Sequence, residues 1–316
     1  MKWLVSVVMP AYNCANYIRE SIHSILAQSY THFELIIWDD GSTDETVNQI
    51  KTITDSRIIL HQDSENKGYP AVMNSLFSVV SGDFVMIQDA DDLAQPDRIK
   101  KLVALLEANP AYDLIGSHLI KFYSNKKRKN VHSELSAHKL NQSFINYSRP
   151  DITFATLMMR RNVTEIPFRN LMFITRAQDI DWLFRVSEKH LLMNGDEYLY
   201  CYRQHDQSMS NDNKLEHLYN YFFWDYICFI TQCRRKKNID VLQPAYESQL
   251  LDFLNALIKR KKATDPVFWE RHLAYRARRN GHWLEALSYA LDAIKSHPFK
   301  KAGYQCLYKI LSRNFQ

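Results

Sequence analysis

The chain is predicted to be an α/β protein built on a doubly wound, mostly parallel sheet with a C-terminal helical appendage. Three observations predict it. Four short apolar runs, at 4–9, 33–38, 57–60 and 83–88, read as strands, the first a continuous β-branched run of the kind buried on both faces. Each is followed by a stretch whose apolar residues recur at helical spacing, so that strand and helix alternate and imply right-handed crossovers. Beyond about residue 212 the alternation stops and only helical patterns remain. The expected division is 1–212 and 213–316.

"LVSVVM" (4–9) opens the chain as its first strand. With Lys2 ahead of it the stretch resembles a secretory leader, but its apolar region is marginal and no small-x-small cleavage site follows, so a strand is expected. Ile18, Ile22, Ile25 and Leu26 then mark a helix, with Asn16 as its expected N-cap. "FELIIW" (33–38) is the second strand. Ser42 and Glu45 of "GSTDETVNQI" have capping-box spacing before the next helix. "RIIL" (57–60) and "PAVMNSLFSVV" (70–80) give a third strand and helix, and "DFVMIQ" (83–88) the fourth strand. Pro96 suits the start of "DRIKKLVALLEA", where its missing N–H costs nothing. Residues 121–150, which include "KKRK" (126–129), lose periodicity and read as a solvated loop or an acceptor-contacting one. "TFATLMMRR" (153–161) reads as a strand, "DIDWLFRVSEKH" (179–190) as a helix and "EYLYCYRQH" (197–205) as a final strand. Amphipathic helices follow, and "GHWLEALSYALDAIKSHP" resembles one helix pair of a repeat in a single copy.

Composition excludes several classes. Of 316 residues 46% are hydrophobic and 24% charged, ordinary for a globular chain. Five cysteines without a CxxC pair suit free thiols in a reducing compartment better than a disulfide frame or zinc site. No stretch approaches the ~20 apolar residues of a membrane span, so a cytoplasmic location is expected. The net charge of +5 is unevenly placed: from Gln232 onward there are 17 Lys+Arg against 7 Asp+Glu, and before it 23 against 28. A basic tail behind an acidic front suggests two parts with different partners.

Doubly wound sheets bind ligands at the carboxyl ends of their strands. On that rule Pro10 to Asn13, Asp39 and Asp40, Asn66, and Asp89 to Asp92 all fall on one edge. Three acids in "QDADD" (88–92) repel one another unless a positive charge sits among them. Carboxylate oxygens suit a hard divalent cation, Mn²⁺ or Mg²⁺, that also takes substrate phosphates. Helix capping by Asp91 or Asp92 is the plainer alternative, though one residue suffices for that. No GxxxxGK[ST] loop exists, and the first strand–helix turn, "PAYNCANY", lacks GxGxxG, which leaves a nucleoside diphosphate bound without a glycine cradle.

"VSVVMPAYNCANYIRESIHSILAQSY", "FELIIWDDGSTDET", "NKG", "QDADD" and "AQDIDWLFRV", in this order and spacing, closely resemble family 2 glycosyltransferases of the A-type nucleotide-sugar-binding fold over residues 4–210. The resemblance implies that Pro10, Ala11, Tyr12, Asn13 and Asp40 hold the base, usually uracil, with Tyr12 stacking and Asp40 accepting from a ring N–H. Asn66 and Gly68 of "NKG" join the nucleotide-sugar site. Asp89 faces ribose or sugar hydroxyls, Asp91 ligates the cation, and Asp92 supports it or contacts the sugar. Asp179 corresponds to the general base, with Asp181 structural, and His205 to a residue near the diphosphate or metal. Two positions depart from the pattern: Gln178 where many members have an acid, and Met73 where many have an Arg before Asn74. A cationic partner for the diphosphate would then come from elsewhere, such as Lys67 or Arg203, and Arg203 or Ser208 would help bind phosphate.

The function implied is inverting, metal-dependent transfer from a nucleotide sugar, UDP-linked by preference, to a glycan or lipid-linked acceptor in surface polysaccharide synthesis. The alternative is an inactive nucleotide-sugar-binding or scaffolding protein, which would have no need of Asp179. A nucleotidyltransferase or nuclease leaves Asp179 unexplained. The basic helices are expected to serve peripheral membrane contact or simple solvation, and no nucleic-acid role is expected.

Overall fold

The computed structural model describes residues 3–123, 128–205, 218–279 and 281–312. Two compact units divide it: Met1–Asn170 with Gln178–Gln204, and Leu171–Ala177 with His205–Gln316.

The first unit is an α/β layer structure around one nine-stranded sheet. Its parallel half contains β1 (Val5–Ala11), β2 (Phe33–Asp39), β3 (Ile58–Gln62) and β4 (Phe84–Ile87), in the order β3-β2-β1-β4. The sheet continues through β8 (Met158–Arg160), β6 (Leu114–Tyr123), β9 (Leu192–Gln204) and the two-residue β5 (Leu93–Ala94), with β7 (Arg128–Val131) on β6. Here β6 and β9 run parallel, while β8 is antiparallel to both β4 and β6. Strand alternation sends Val5, Val7 and Met9 of β1 into one cluster with Leu35, Ile37 and Met86. Against it pack Ile18, Ile22 and Ile25 of α1 (Ile18–Leu26) and Ile99, Leu102 and Leu106 of α4 (Arg98–Ala108). Val8 and Ile36, pointing the other way, are equally buried.

The sequence expectations differ from the structure at several elements. The α1 helix starts after Tyr17, not Asn16, and without a side-chain cap. Ser42 does not cap α2 (Thr46–Lys51); its hydroxyl instead accepts from the Asn13 N–H at 2.9 Å, tying the first two loops together. The 121–150 stretch is not one loop. It carries the end of β6, the charged edge strand β7, and α5 (Ala137–Ile145), capped by the Ser136 hydroxyl. Of "KKRK", Lys126 and Lys127 lie outside the described residues, while Arg128 and Lys129 open β7. "TFATLMMRR" is a 3-10 turn, Phe154–Thr156, followed by the short β8.

In the second unit α7 (Phe223–Lys237) and α8 (Glu247–Thr264) meet through a Phe229–Phe253 stack at 4.0 Å. The last three helices, α9 (Phe268–Arg279), α10 (Trp283–Ser296) and α11 (Lys301–Leu311), pack on small residues: Ala274, Ala277, Ala286, Ala290 and Cys306, with Ile310. Among the described residues no helix is long and apolar enough to cross a membrane.

Candidate active site

The carboxyl edge of the parallel strands is organised by backbone contacts. Ala11 ends β1, Tyr12 beside it is 47% exposed, and Asn13 adopts a φ of 46°. The Asn13 side-chain oxygen accepts from the Thr43 N–H at 2.9 Å, so the loops after β1 and β2 form one surface. Gly41, with φ 66°, is required there: a Cβ would lie 2.6 Å from the backbone of Glu65. Asp40 is buried and accepts the N–H groups of Lys67 and Gly68 at 2.7 and 3.0 Å. It therefore shapes the "NKG" loop, where Asn66 is exposed and Gly68, at φ 86°, leads into α3 (Tyr69–Val79). Each Asp40 oxygen keeps further accepting capacity.

The acidic edge lies beyond β4. Asp89 is partly buried; burial first, and then the Asp91 charge, raise its carboxyl to about 7. Asp92 is buried and pushed well above the usual carboxylate range by the same two causes. It accepts from the Tyr200 hydroxyl and the Arg203 N–H, both at 2.6 Å. Asp91 is partly buried, its carbonyl accepts from Arg203 Nε at 2.7 Å, and its charge reaches Cys14 beside the first loop. Arg203 also pairs with Glu20 at 2.6 Å and lies over the rings of Tyr17 and Phe122. Lys67 pairs with Asp63 at 2.6 Å. Both cations expected from sequence to contact a diphosphate are thus already engaged with acids. Ser208 lies outside the described residues. His205 directly follows β9 and belongs to the second unit. Among the described residues no three His, Cys, Asp or Glu side chains form a ready-made metal cage.

Asp179 sits in the first turn of α6 (Gln178–Val186), where burial raises its carboxyl pKa against the pull of nearby backbone N–H groups. The helix is held from three sides. Trp182 stacks on Phe168 at 5.3 Å and donates to the Ile166 carbonyl at 2.7 Å. Asn74, on α3, pairs with both the N–H and the C=O of Phe168, at 2.7 and 2.9 Å. Asp181, fully buried, takes Arg169 through both oxygens at 2.7 and 2.8 Å and Arg185 at 3.0 Å. That is the structural role expected of it. Burial first, and then the charges of Asp89 and Asp179, push the Tyr69 hydroxyl at the start of α3 well above its usual range, and the Asp179 charge also raises Asp89.

Three contributors were not legible in the sequence: Tyr69, Tyr200 and Arg98. Arg98 is fully buried behind the acids although it opens an amphipathic helix, a place where arginine normally meets water. The motif "QPDR" gives no hint of it. Tyr200 is one of several tyrosines in β9, and only the register opposite Leu119 and Ala94 turns it inward.

Oxygen donors at a strand end, a partly buried carboxyl of raised pKa whose charge reaches them, and an exposed Tyr12 suit a site for a nucleoside diphosphate joined to a second substrate. Comparison with known proteins agrees. Residues 6–166 match the family described as glycosyl transferase family 2. EpsE of Bacillus subtilis (strain 168), named as a putative glycosyltransferase, is 33% identical over 239 residues, covering 74% of this chain and 83% of that protein. The Escherichia coli protein WfgD, named as a UDP-Glc:alpha-D-GlcNAc-diphosphoundecaprenol beta-1,3-glucosyltransferase, is 32% identical over 118 residues, covering 37% of this chain and 47% of its own length. Among solved structures, S. aureus TarS 1-349 in complex with UDP-GlcNAc superposes with a TM-score of 0.59 at 18% identity, covering 96% of this chain and 84% of that one, and so shares the fold. The chain is a glycosyltransferase and belongs to glycosyl transferase family 2.

Proposed function

We propose that this glycosyltransferase moves a sugar, with inversion, from a UDP-sugar to a hydroxyl of a glycan or lipid-linked acceptor in surface polysaccharide synthesis, and that it needs a divalent cation. The observation that carries the reading is Asp179, partly buried in the first turn of α6, with its carboxyl pKa raised by burial and its charge felt by Asp89 of the acidic edge. The activity named for WfgD supports the choice of UDP and of a lipid-linked acceptor.

In this reading Pro10, Ala11, Tyr12, Asn13 and Asp40 receive the base, with Tyr12 stacking on it. Asn66 and Gly68 border the nucleotide, and Asp89 takes ribose or sugar hydroxyls. The acids fit Mn²⁺ or Mg²⁺, because carboxylate oxygens are the donors such hard cations select. Asp91 would hold it, with Asp92, already clamped by Tyr200 and Arg203, supporting from behind. A single protein ligand leaves most coordination positions to phosphate and water. When bound, the cation supplies charge neutralisation for the departing diphosphate.

Asp179 removes the proton from the acceptor hydroxyl as that oxygen attacks the anomeric carbon. The bond from that carbon to the diphosphate breaks on the opposite face and its electron pair leaves with the UDP. A carboxylate whose proton affinity is raised by burial is the better base for this step. The site is expected to work on the cytoplasmic side of a membrane, touched peripherally through the basic helices, without nucleic acid.

A screen of UDP-, GDP- and dTDP-sugars with Mn²⁺, read by thermal shift and nucleotide release, tests the donor. No metal-dependent response to any of them ends the proposal. Asp179→Asn should keep donor binding while transfer falls ~10²–10⁴-fold; undiminished transfer would remove Asp179 from the role of base.

A further inference from the structure

Arg98 acts on the acidic edge electrostatically, yet no acid is among its hydrogen-bond partners. Its side chain is fully buried. Nη1 donates to the Gln88 side-chain oxygen at 2.7 Å, and Nη2 donates to the carbonyls of Ile87 and Ala155 at 2.8 and 2.9 Å. The guanidinium plane lies over the Tyr200 ring, 4.6 Å from its centroid. These partners lead on to the acids. The Gln88 amide donates to the Asp89 carbonyl at 3.1 Å. The Tyr200 hydroxyl donates to Asp92 at 2.6 Å and receives the Asp89 N–H at 3.4 Å.

We infer that Arg98 is the positioning residue of the cation and diphosphate site: from behind β4 it fixes Gln88 and Tyr200, and through them the backbone of Asp89 and the carboxylate of Asp92. The inference rests on the transferase reading above. A cation in front of the acids would compete with a metal for the same oxygens. One placed behind them lessens their mutual repulsion without taking a carboxylate oxygen as a hydrogen-bond partner. Burial lowers the Arg98 pKa to about 10, and the Asp89 and Asp92 charges oppose that fall, so the guanidinium stays charged in its apolar setting. Only arginine can do all of this at once. Its planar fork spans an amide oxygen and two carbonyls while one face stacks on an aromatic ring; a lysine ammonium cannot reproduce that geometry.

Arg98→Lys and Tyr200→Phe test the idea in the full chain. The first keeps charge without the fork and the second deletes one hydroxyl while keeping the ring. UDP affinity is measured by calorimetry with and without Mn²⁺, and folding is checked by thermal unfolding. The gain in affinity given by Mn²⁺ should fall about tenfold in each variant, the scale of one lost hydrogen bond to a charged group, while metal-free UDP affinity barely changes. A merely structural role would lower melting temperature and weaken UDP binding with and without Mn²⁺ alike. That result, or an unchanged Mn²⁺ gain in folded variants, overturns the inference and leaves the transferase reading standing. A wild type in which Mn²⁺ gives no gain would fell the cation-dependent reading and this inference together. Should Arg98→Lys fail to fold, Tyr200→Phe decides alone.

Discussion

Asp89, Asp91 and Asp92 are adjacent in sequence but not equivalent in structure. Asp92 is consumed by Tyr200 and the Arg203 N–H, Asp91 lends its carbonyl to Arg203, and Asp89 bears a carboxyl raised to about 7. A raised carboxyl pKa has a fixed sign in stability. Protonated Asp89 is tolerated below the unfolded value, and its ionisation in the folded chain opposes folding increasingly as pH rises from about 4 toward 7. In metal-free buffer Asp89→Asn should therefore leave stability at pH 4 nearly unchanged. At pH 8 it should raise it by on the order of 2–4 kcal/mol, the free-energy equivalent of the displacement. Equal stability of the two proteins at pH 8 in a denaturant titration would show that Asp89 is not strained by its burial. The acidic cluster and its place at a strand end were legible in the sequence, because local alternation fixes which residues end a strand. The division of labour among the acids was not. It depends on Tyr200 and Arg203, more than 100 positions away, and on a buried Arg98 that local pattern assigns to water.

At the level of elements, the parallel strands and their helices followed from the sequence because β1, β2 and β4 are buried on both faces and the helices on one stripe, while the edge strand β3, with Ile59 exposed, still carries a β-branched apolar run. The weaker second half did not. β7 is "RKNV", nearly all exposed, and is a strand only because β6 offers it an antiparallel edge through Leu119↔Val131 to Phe122↔Arg128. β8 is three residues long and is defined by β4 and β6 on either side. Such elements are made by their neighbours, which single-residue preference does not describe. The placement of α6 depends on the same kind of long-range contact. Asn74 closes two hydrogen bonds on the Phe168 backbone, and Phe168 stacks on Trp182, three residues after Asp179. The family's frequent Arg before this Asn is here the fully buried Met73, so the α3 position faces the core and not a phosphate. Asn74→Ala leaves a backbone N–H and C=O without partners, at about 1–3 kcal/mol. It should also lower kcat more than it raises the KM for donor, since α6 carries Asp179, the proposed base, while the nucleotide loops lie elsewhere. Loss of stability with kcat intact would separate Asn74 from the positioning of Asp179.

For the whole molecule, the contrast in charge anticipated from sequence has a counterpart in the surface of the second unit. No acidic residue occurs after Asp292, whereas Lys295, Lys300, Lys301, Lys309 and Arg313 do. Helix α11 buries Gly303, Cys306 and Ile310 on one side. On another it presents Tyr304, Tyr308 and Leu311 at i, i+4 and i+7, exposed by 50%, 75% and 54%, with Phe299 just ahead of it at 99%. Aromatic and aliphatic side chains bordered by lysines match the interface of an anionic bilayer, where rings sit at headgroup depth and ammonium groups meet lipid phosphate. Residues at this face already lie in a folded helix, so little ordering opposes the contact. The full chain should pellet with phosphatidylglycerol-containing vesicles and not with pure phosphatidylcholine, and raised salt should release it. The double variants Phe299→Ser/Tyr308→Ser and Lys300→Glu/Lys301→Glu should each abolish pelleting while Mn²⁺-dependent UDP binding in solution is retained. Vesicle binding that survives both, or a concentration-dependent dimer that only the first variant dissolves, would assign the face to a partner other than lipid.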